Sequence, residues 1–121
     1  MLRLILHAGP ERLAIPATAV DEVLPAVGRH PTAGVATVRG RVVPVLDLHR
    51  HVTGQDCPTT LHARLVVLSG DPPLGLLAER VGELVELADA GGSADPLGPL
   101  VAGPDGLVRL TDPARLAEVM T

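Results

Sequence analysis

Gly34-Val35-Ala36-Thr37-Val38-Arg39-Gly40-Arg41-Val42-Val43-Pro44-Val45-Leu46-Asp47-Leu48 is the stretch that decides the fold. Valines alternate with other residues on both sides of Arg39-Gly40-Arg41, the period of a half-buried strand. Gly40 supplies the positive φ that a tight hairpin turn requires. The stretch therefore reads as strand, turn, strand and then a short helix. Arginines flank the turn and Asp47 closes the second strand. None of these is an evident nucleophile, base or metal ligand. A hairpin that presents charge without chemistry is what a docking surface needs.

The flanking sequence extends the same pattern. Leu2, Leu4 and Leu6 alternate with Arg3 and Ile5, which predicts a partly buried strand. After a turn at Ala8-Gly9-Pro10-Glu11, Arg12 to Ile15 forms a second strand and completes a hairpin. From Pro16 to Leu24 the apolar period fits a helical turn or a strand equally well. Val27 to Thr32 is a connector carrying Gly28 and Pro31. Pro44 cannot donate to a sheet ladder, so its strand is expected at an edge or at a bulge. Asp47 caps a helix through Val52, ended by Thr53-Gly54. Further strands are predicted over Ala63–Ser69, Leu74–Ala78 and Val81–Leu87. Ala88 to Pro99, rich in Gly, Pro and Asp, is expected to be an exposed loop. A last hairpin turns at Pro104-Asp105-Gly106. Asp112-Pro113 then starts a short helix, Ala114 to Met120, that buries Leu116, with Met120 as a second candidate. About nine short strands with regular turns signal an antiparallel sandwich or barrel. No repeat of fixed period and no linker divides the chain, so residues 1–121 are expected to be a single domain.

Composition narrows the function. There is no Phe, Trp or Tyr, so the core must be built from Val, Leu, Ile and Ala. The net charge is −4, with ten basic residues, all arginine. Residues 1–60 hold six arginines and five acids, whereas residues 61–121 hold four and nine. An acidic chain without aromatic residues lacks both the basic footprint and the stacking platforms of a nucleic-acid binder. Cys57 is alone, which excludes an internal disulfide, and it reads as an incidental thiol beside a loop proline. No apolar run approaches a membrane span and the start shows no signal-peptide pattern, so a cytoplasmic location is expected.

The catalytic search finds little. Of His7, His30, His49, His51 and His62, only His49 and His51 are close, and their spacing points to different sides of a helix. Ser69 and Ser93 lie in no nucleophile elbow, and without lysine there is no phosphate-binding loop of the P-loop type. Glu79, Glu83 and Glu86 read as a solvated face. No enzyme, cofactor or metal is expected.

At this point the residues carry a family likeness. Leu13-Ala14-Ile15-Pro16, Val20-Asp21-Glu22-Val23, the Arg39-Gly40 to Asp47-Leu48 segment and Gly75-Leu76-Leu77-Ala78-Glu79-Arg80-Val81 together resemble the CheW-like domain of bacterial chemotaxis coupling proteins. The R-G-x-x-x-P-V-x-D-L segment is the specific part. The resemblance implies an all-β fold of two intertwined five-stranded barrels. It also implies a cytoplasmic adaptor that links the tips of chemoreceptors (methyl-accepting proteins) to the regulatory domain of a histidine autokinase, without membrane insertion. Val20, Glu22, Arg39 and Gly40 match positions the family uses near its contact surfaces. Arg41 and Val43, their neighbours on the hairpin, complete the candidate partner-binding set, although Val43, like Val45, is first a core candidate. Arg39 either reaches a partner carboxylate or turns back to Glu22 or Asp47. Asp47 is better read as a helix cap.

The chain also departs from the family pattern. The connector from Leu24 to Gly34 and the stretch from Gly91 to Pro104 are shorter, Ala78 and Glu79 replace the usual Val and Asp, and no aromatic residue stands near the start. A trimmed adaptor that binds receptor or kinase alone, and so limits array assembly, is the alternative expectation. A structural barrel acting in some other signalling complex, and an undetected hydrolase or metal protein, are the remaining ones.

Overall fold

Two strands of the chain are apolar on both faces, and the rest of the fold covers them. The computed structural model describes residues 1–27, 34–58 and 60–119. The expectations for His30, for Met120 and for the connector beyond Val27 fall outside those residues.

The elements are β1 (Leu2–Ala8), β2 (Glu11–Pro16), a single 3₁₀ turn (Ala17–Ala19), β3 (Val20–Pro25), β4 (Val35–Val38), β5 (Arg41–Asp47) and α1 (Leu48–Thr53). They continue with β6 (Arg64–Leu68), β7 (Leu74–Ala78), β8 (Arg80–Glu86), β9 (Leu100–Gly103), β10 (Gly106–Leu110) and α2 (Pro113–Val119). Among the described residues the strands form two five-stranded sheets, ordered β8-β1-β2-β10-β9 and β3-β6-β7-β5-β4. The second sheet is made by the middle of the chain, inserted between β2 and β8 of the first. Among the described residues no helix is long and apolar enough to cross a membrane.

The strands between Pro16 and Leu24 resolve the ambiguity of period: the helical turn is confined to Ala17–Ala19 and the rest is β3. The wholly antiparallel expectation needs correction. Each sheet contains one parallel pair, β2 with β10 and β5 with β7. Both sheets in fact share one pairing scheme along the strand order, antiparallel, antiparallel, parallel, antiparallel. In the second sheet the chain supplies these positions as β3, β4–β5, β6–β7; in the first as β8, β9–β10, β1–β2. A repeat permuted in this way leaves no fixed period in the sequence.

β5 is an inner strand of its sheet, but Pro44 stands just before the point where its ladder with β7 begins. β5 pairs with β4 over Arg41–Pro44 and with β7 over Val45–Asp47. The proline stands where the strand exchanges one neighbour for the other, so its missing N–H disrupts neither ladder.

Packing divides into three cores. Leu6, Leu13 and Ile15 of the first sheet meet Val66, Leu68, Leu74 and Leu76 of the second, and Leu48 of α1 and Leu116 of α2 join them. The opposite face of the second sheet buries Val38, Val43, Val45, Leu65 and Val67. The opposite face of the first buries Ile5, Ala14, Val108 and Leu110. β6 and β7 alternate between the shared core and the second sheet's own, which explains their unbroken apolar runs. Arg3 is buried to 8% exposure, with its Nη1 donating to Ala14 O at 3.0 Å, while Leu2 is exposed. The Ala88–Pro99 loop is exposed at its start, but Leu97 drops into the shared core.

Both helices start on an aspartate. Asp47 Oδ1 accepts from Arg50 N at 3.0 Å and Asp112 Oδ1 accepts from Ala114 N at 3.0 Å. Each cap holds a helix that presents one leucine to the same core.

Leu76→Ala, at the centre of the shared core, should lower stability by about 2–5 kcal/mol. Val42→Ala, on the surface, should stay within about 0.5 kcal/mol of wild type. Urea unfolding of the two variants measures both, and equal losses would contradict this assignment of the core.

Candidate docking site on the β4–β5 hairpin

A two-residue loop between strands favours a turn with positive φ at both central positions, because its twist matches that of the strands. Val38 pairs with Arg41, so Arg39 and Gly40 are those positions. Their φ values are 51° and 76°. Glycine adopts this freely, whereas a left-handed conformation costs an L-residue with a Cβ roughly 1–2 kcal/mol. Arg39 is the one non-glycine residue with positive φ among the described residues. The sequence pointed to this conformation for Gly40 and not for Arg39.

The hairpin has two faces. Ala36, Val38, Val43 and Val45 are buried, while Val35, Thr37 and Val42 are exposed. Val43, at 2% exposure, thus belongs to the core, where it underlies a hollow of about 120 Å³ whose rim carries Glu22, Arg39 and Arg41. The exposed valine of β5 is Val42, at 69%. Alternation alone leaves the parity of a valine-rich strand open. The signal that fixes it is Thr37, a polar residue that lies directly opposite Val42 in the register of a two-residue turn.

β3 brings the acid. Its pairing with β6 shifts register between Val20 and Glu22, a β-bulge beside the site. One extra residue reverses the alternation of the strand. Val20 packs against the shared core, whereas Leu24 packs against the second sheet's own core. Glu22, opposite Val67, then faces the hairpin tip, and Arg39 Nη2 donates to Glu22 Oε1 at 2.8 Å. The arginine side chain is 79% exposed and the glutamate only 16%. Arg39 therefore turns back to Glu22 with one nitrogen and keeps most of its guanidinium in solvent. Arg41 forms no ion pair among the described residues. The structure groups Glu22, Arg39, Gly40 and Arg41, sets Val43 beneath them and leaves Val20 apart.

Asp47 takes no part in this pairing. Besides capping α1 it accepts from Cys57 N through Oδ2 at 2.9 Å. His49 and His51 have opposite fates: His49 is buried, 2.9 Å from Gln55 O through Nδ1 and 3.8 Å from Glu79 through Nε2, and His51 is exposed. Among the described residues no group of three His, Cys, Asp or Glu side chains is placed to hold a metal ion. Burial pushes the Cys57 thiol up to about 12, with the Asp47 and Glu79 carboxylates adding to it. The thiolate is the reactive form, so raising the pKa withdraws it at neutral pH and reactivity returns only as pH rises. At pH 8 Cys57 should react with iodoacetamide roughly a thousandfold more slowly than an unperturbed thiol. Mass spectrometry against a free cysteine peptide measures this, and equal rates would refute the raised thiol pKa.

Comparison with solved structures finds the scaffolding protein TtCheW of Thermoanaerobacter tengcongensis, with a TM-score of 0.71 over 92% of this chain and 88% of that one. At 16% identity this likeness is one of fold. No curated protein sequence matches the chain. The CheW-like domain family matches residues 3–112, and on that match, which takes in both sheets, both hairpin arginines and the capped α1, the chain belongs to the CheW-like domain family.

Proposed function

We propose that this protein is a non-enzymatic cytoplasmic adaptor of a chemosensory system. It couples the helical tip of a chemoreceptor to the regulatory domain of a histidine autokinase, and the β4–β5 hairpin with Glu22 of β3 is part of its docking face. Membership of the CheW-like family supports the general role. The observation that carries the site is Arg39: a charged residue held at φ 51° at a turn tip, 79% exposed, where asparagine or glycine would be less strained. The Glu22 contact spends little of its hydrogen-bonding capacity and fixes its direction. The remaining donors suit a bidentate pair with a partner carboxylate. Val42 and Val35 offer apolar surface next to that charge. Among the described residues β4 is an outer strand of its sheet, the position that sheet extension uses.

Calorimetric titration of the purified receptor fragment and of the kinase regulatory domain tests this. Arg39→Glu should weaken binding of at least one partner by about thirtyfold, as expected when one member of an interfacial charge pair is reversed, about 2 kcal/mol. Arg39→Asn should match or exceed wild-type stability, since asparagine tolerates the left-handed turn, and still lose affinity. Unchanged binding in both variants would remove the hairpin from the docking face. Heat with one partner and none with the other would support the narrower reading, an accessory regulator that limits array assembly.

A further inference from the structure

On the first sheet, away from the hairpin, three basic residues stand in one row. Arg80 of β8, His7 of β1 and Arg12 of β2 are direct cross-strand partners. Residues paired in this way project to one face, and like charges so placed repel. Among the described residues no carboxylate pairs with either arginine, although Glu79, Glu83 and Asp105 stand nearby. The Nε of Arg12 is buried without a hydrogen-bond partner, and Arg80 Nη2 lies 3.5 Å from His7 Nε2. A chain of net charge −4 has acids enough to neutralise both arginines, yet leaves them unpaired.

The row opens on a hollow of about 320 Å³ whose lining includes His7, Arg12, Arg80, Gly82, Glu83 and Asp105. Gly82 keeps it open: a Cβ there would meet His7 Nε2 at 3.2 Å and the Cβ of Ile5 at 3.3 Å. We propose that this hollow binds a phosphate group, free or on a small phosphomonoester, with the guanidinium groups of Arg12 and Arg80 and the His7 ring as donors. Two guanidinium forks and an imidazole present more donors and more charge than one carboxylate matches. A tetrahedral dianion accepts from all three directions.

His7 supplies the coupling to pH. Burial first, then Arg80 and Arg12, hold its pKa below the ordinary value, and Glu79 opposes them. Glu83 of β8, Asp105 of the β9–β10 turn and His62 across an adjoining hollow complete the charged and titratable groups around it. The carboxylates temper the field without pairing either arginine. A bound dianion favours the imidazolium, so it should raise the His7 pKa toward and past its ordinary value.

The test is an NMR titration of the full chain with inorganic phosphate at constant ionic strength, following the His7 ring protons. A saturable shift is expected, with a His7 titration midpoint that moves up when phosphate is present. Arg80→Gln, an exposed substitution that does not threaten folding, should weaken binding about tenfold. Arg12→Gln should do at least as much. Glycerol phosphate binding more tightly than inorganic phosphate would support the monoester form; the reverse order would support the free anion. Absence of saturation, an unmoved His7 midpoint, or equal titration by acetate or by the Arg80→Gln variant would overturn the proposal.

Discussion

The constraint on which the rest of the structure depends is the burial of β6 and β7 on both faces. Their odd and even residues go into different cores, Leu65 and Val67 to one side, Val66 and Leu68 to the other. Such strands cannot form the surface of a single sheet. They need a cover on each side, and the chain supplies β4 and β5 on one and the β1–β2 hairpin on the other. Each leucine removed from water there is worth roughly 1.5–3 kcal/mol. The capped helices complete the cover by adding Leu48 and Leu116 to the shared core. That explains why a chain with no aromatic residue still builds two sheets: many small aliphatic contacts, spread over three cores, replace a few large ones.

The hairpin site follows from the same arrangement. β5 is fixed along its second half by β7 and along its first half by β4, so the Arg39-Gly40 turn projects from a strand anchored in the sheet. The bulge in β3 turns the neighbouring strand so that Glu22 faces that turn while Val20 faces the shared core. Strain at Arg39, a bulge beside it and an ion pair between the two strands occur within one small region. The first two are local departures from ideal geometry held in place by the surrounding sheet.

Much of this was legible in the sequence. Both Asp caps, the β1–β2, β4–β5 and β9–β10 hairpins and the β7 strand follow from local chemistry: a capping side chain, a glycine at a turn, an alternating or continuous apolar run. What the sequence left open has a common cause. Which side Arg3 faces, whether Val43 serves the core or the contact surface, and how Pro44 fits its strand all depend on which neighbour lies across the ladder. Arg3 is buried because Ala14 O and Asp89 receive its guanidinium. Pro44 is tolerated because β5 changes neighbours there. The basic row His7, Arg12 and Arg80 had no sequence signal, since its third member is more than sixty residues from the others.

The sequence alone determined what depends on adjacent residues: mainly-β character, turn positions, helix starts, the aliphatic core and, through the Arg39-Gly40 to Asp47-Leu48 segment, the family. Only the tertiary structure decided what depends on strand pairing: the two parallel pairs, the insertion of one sheet within the other, the parity that buries Val43 and exposes Val42, and the meeting of Arg39 with Glu22. The physical reason is that a strand's alternation defines two faces without naming them. The neighbour across the ladder, often distant in sequence, settles which face is buried.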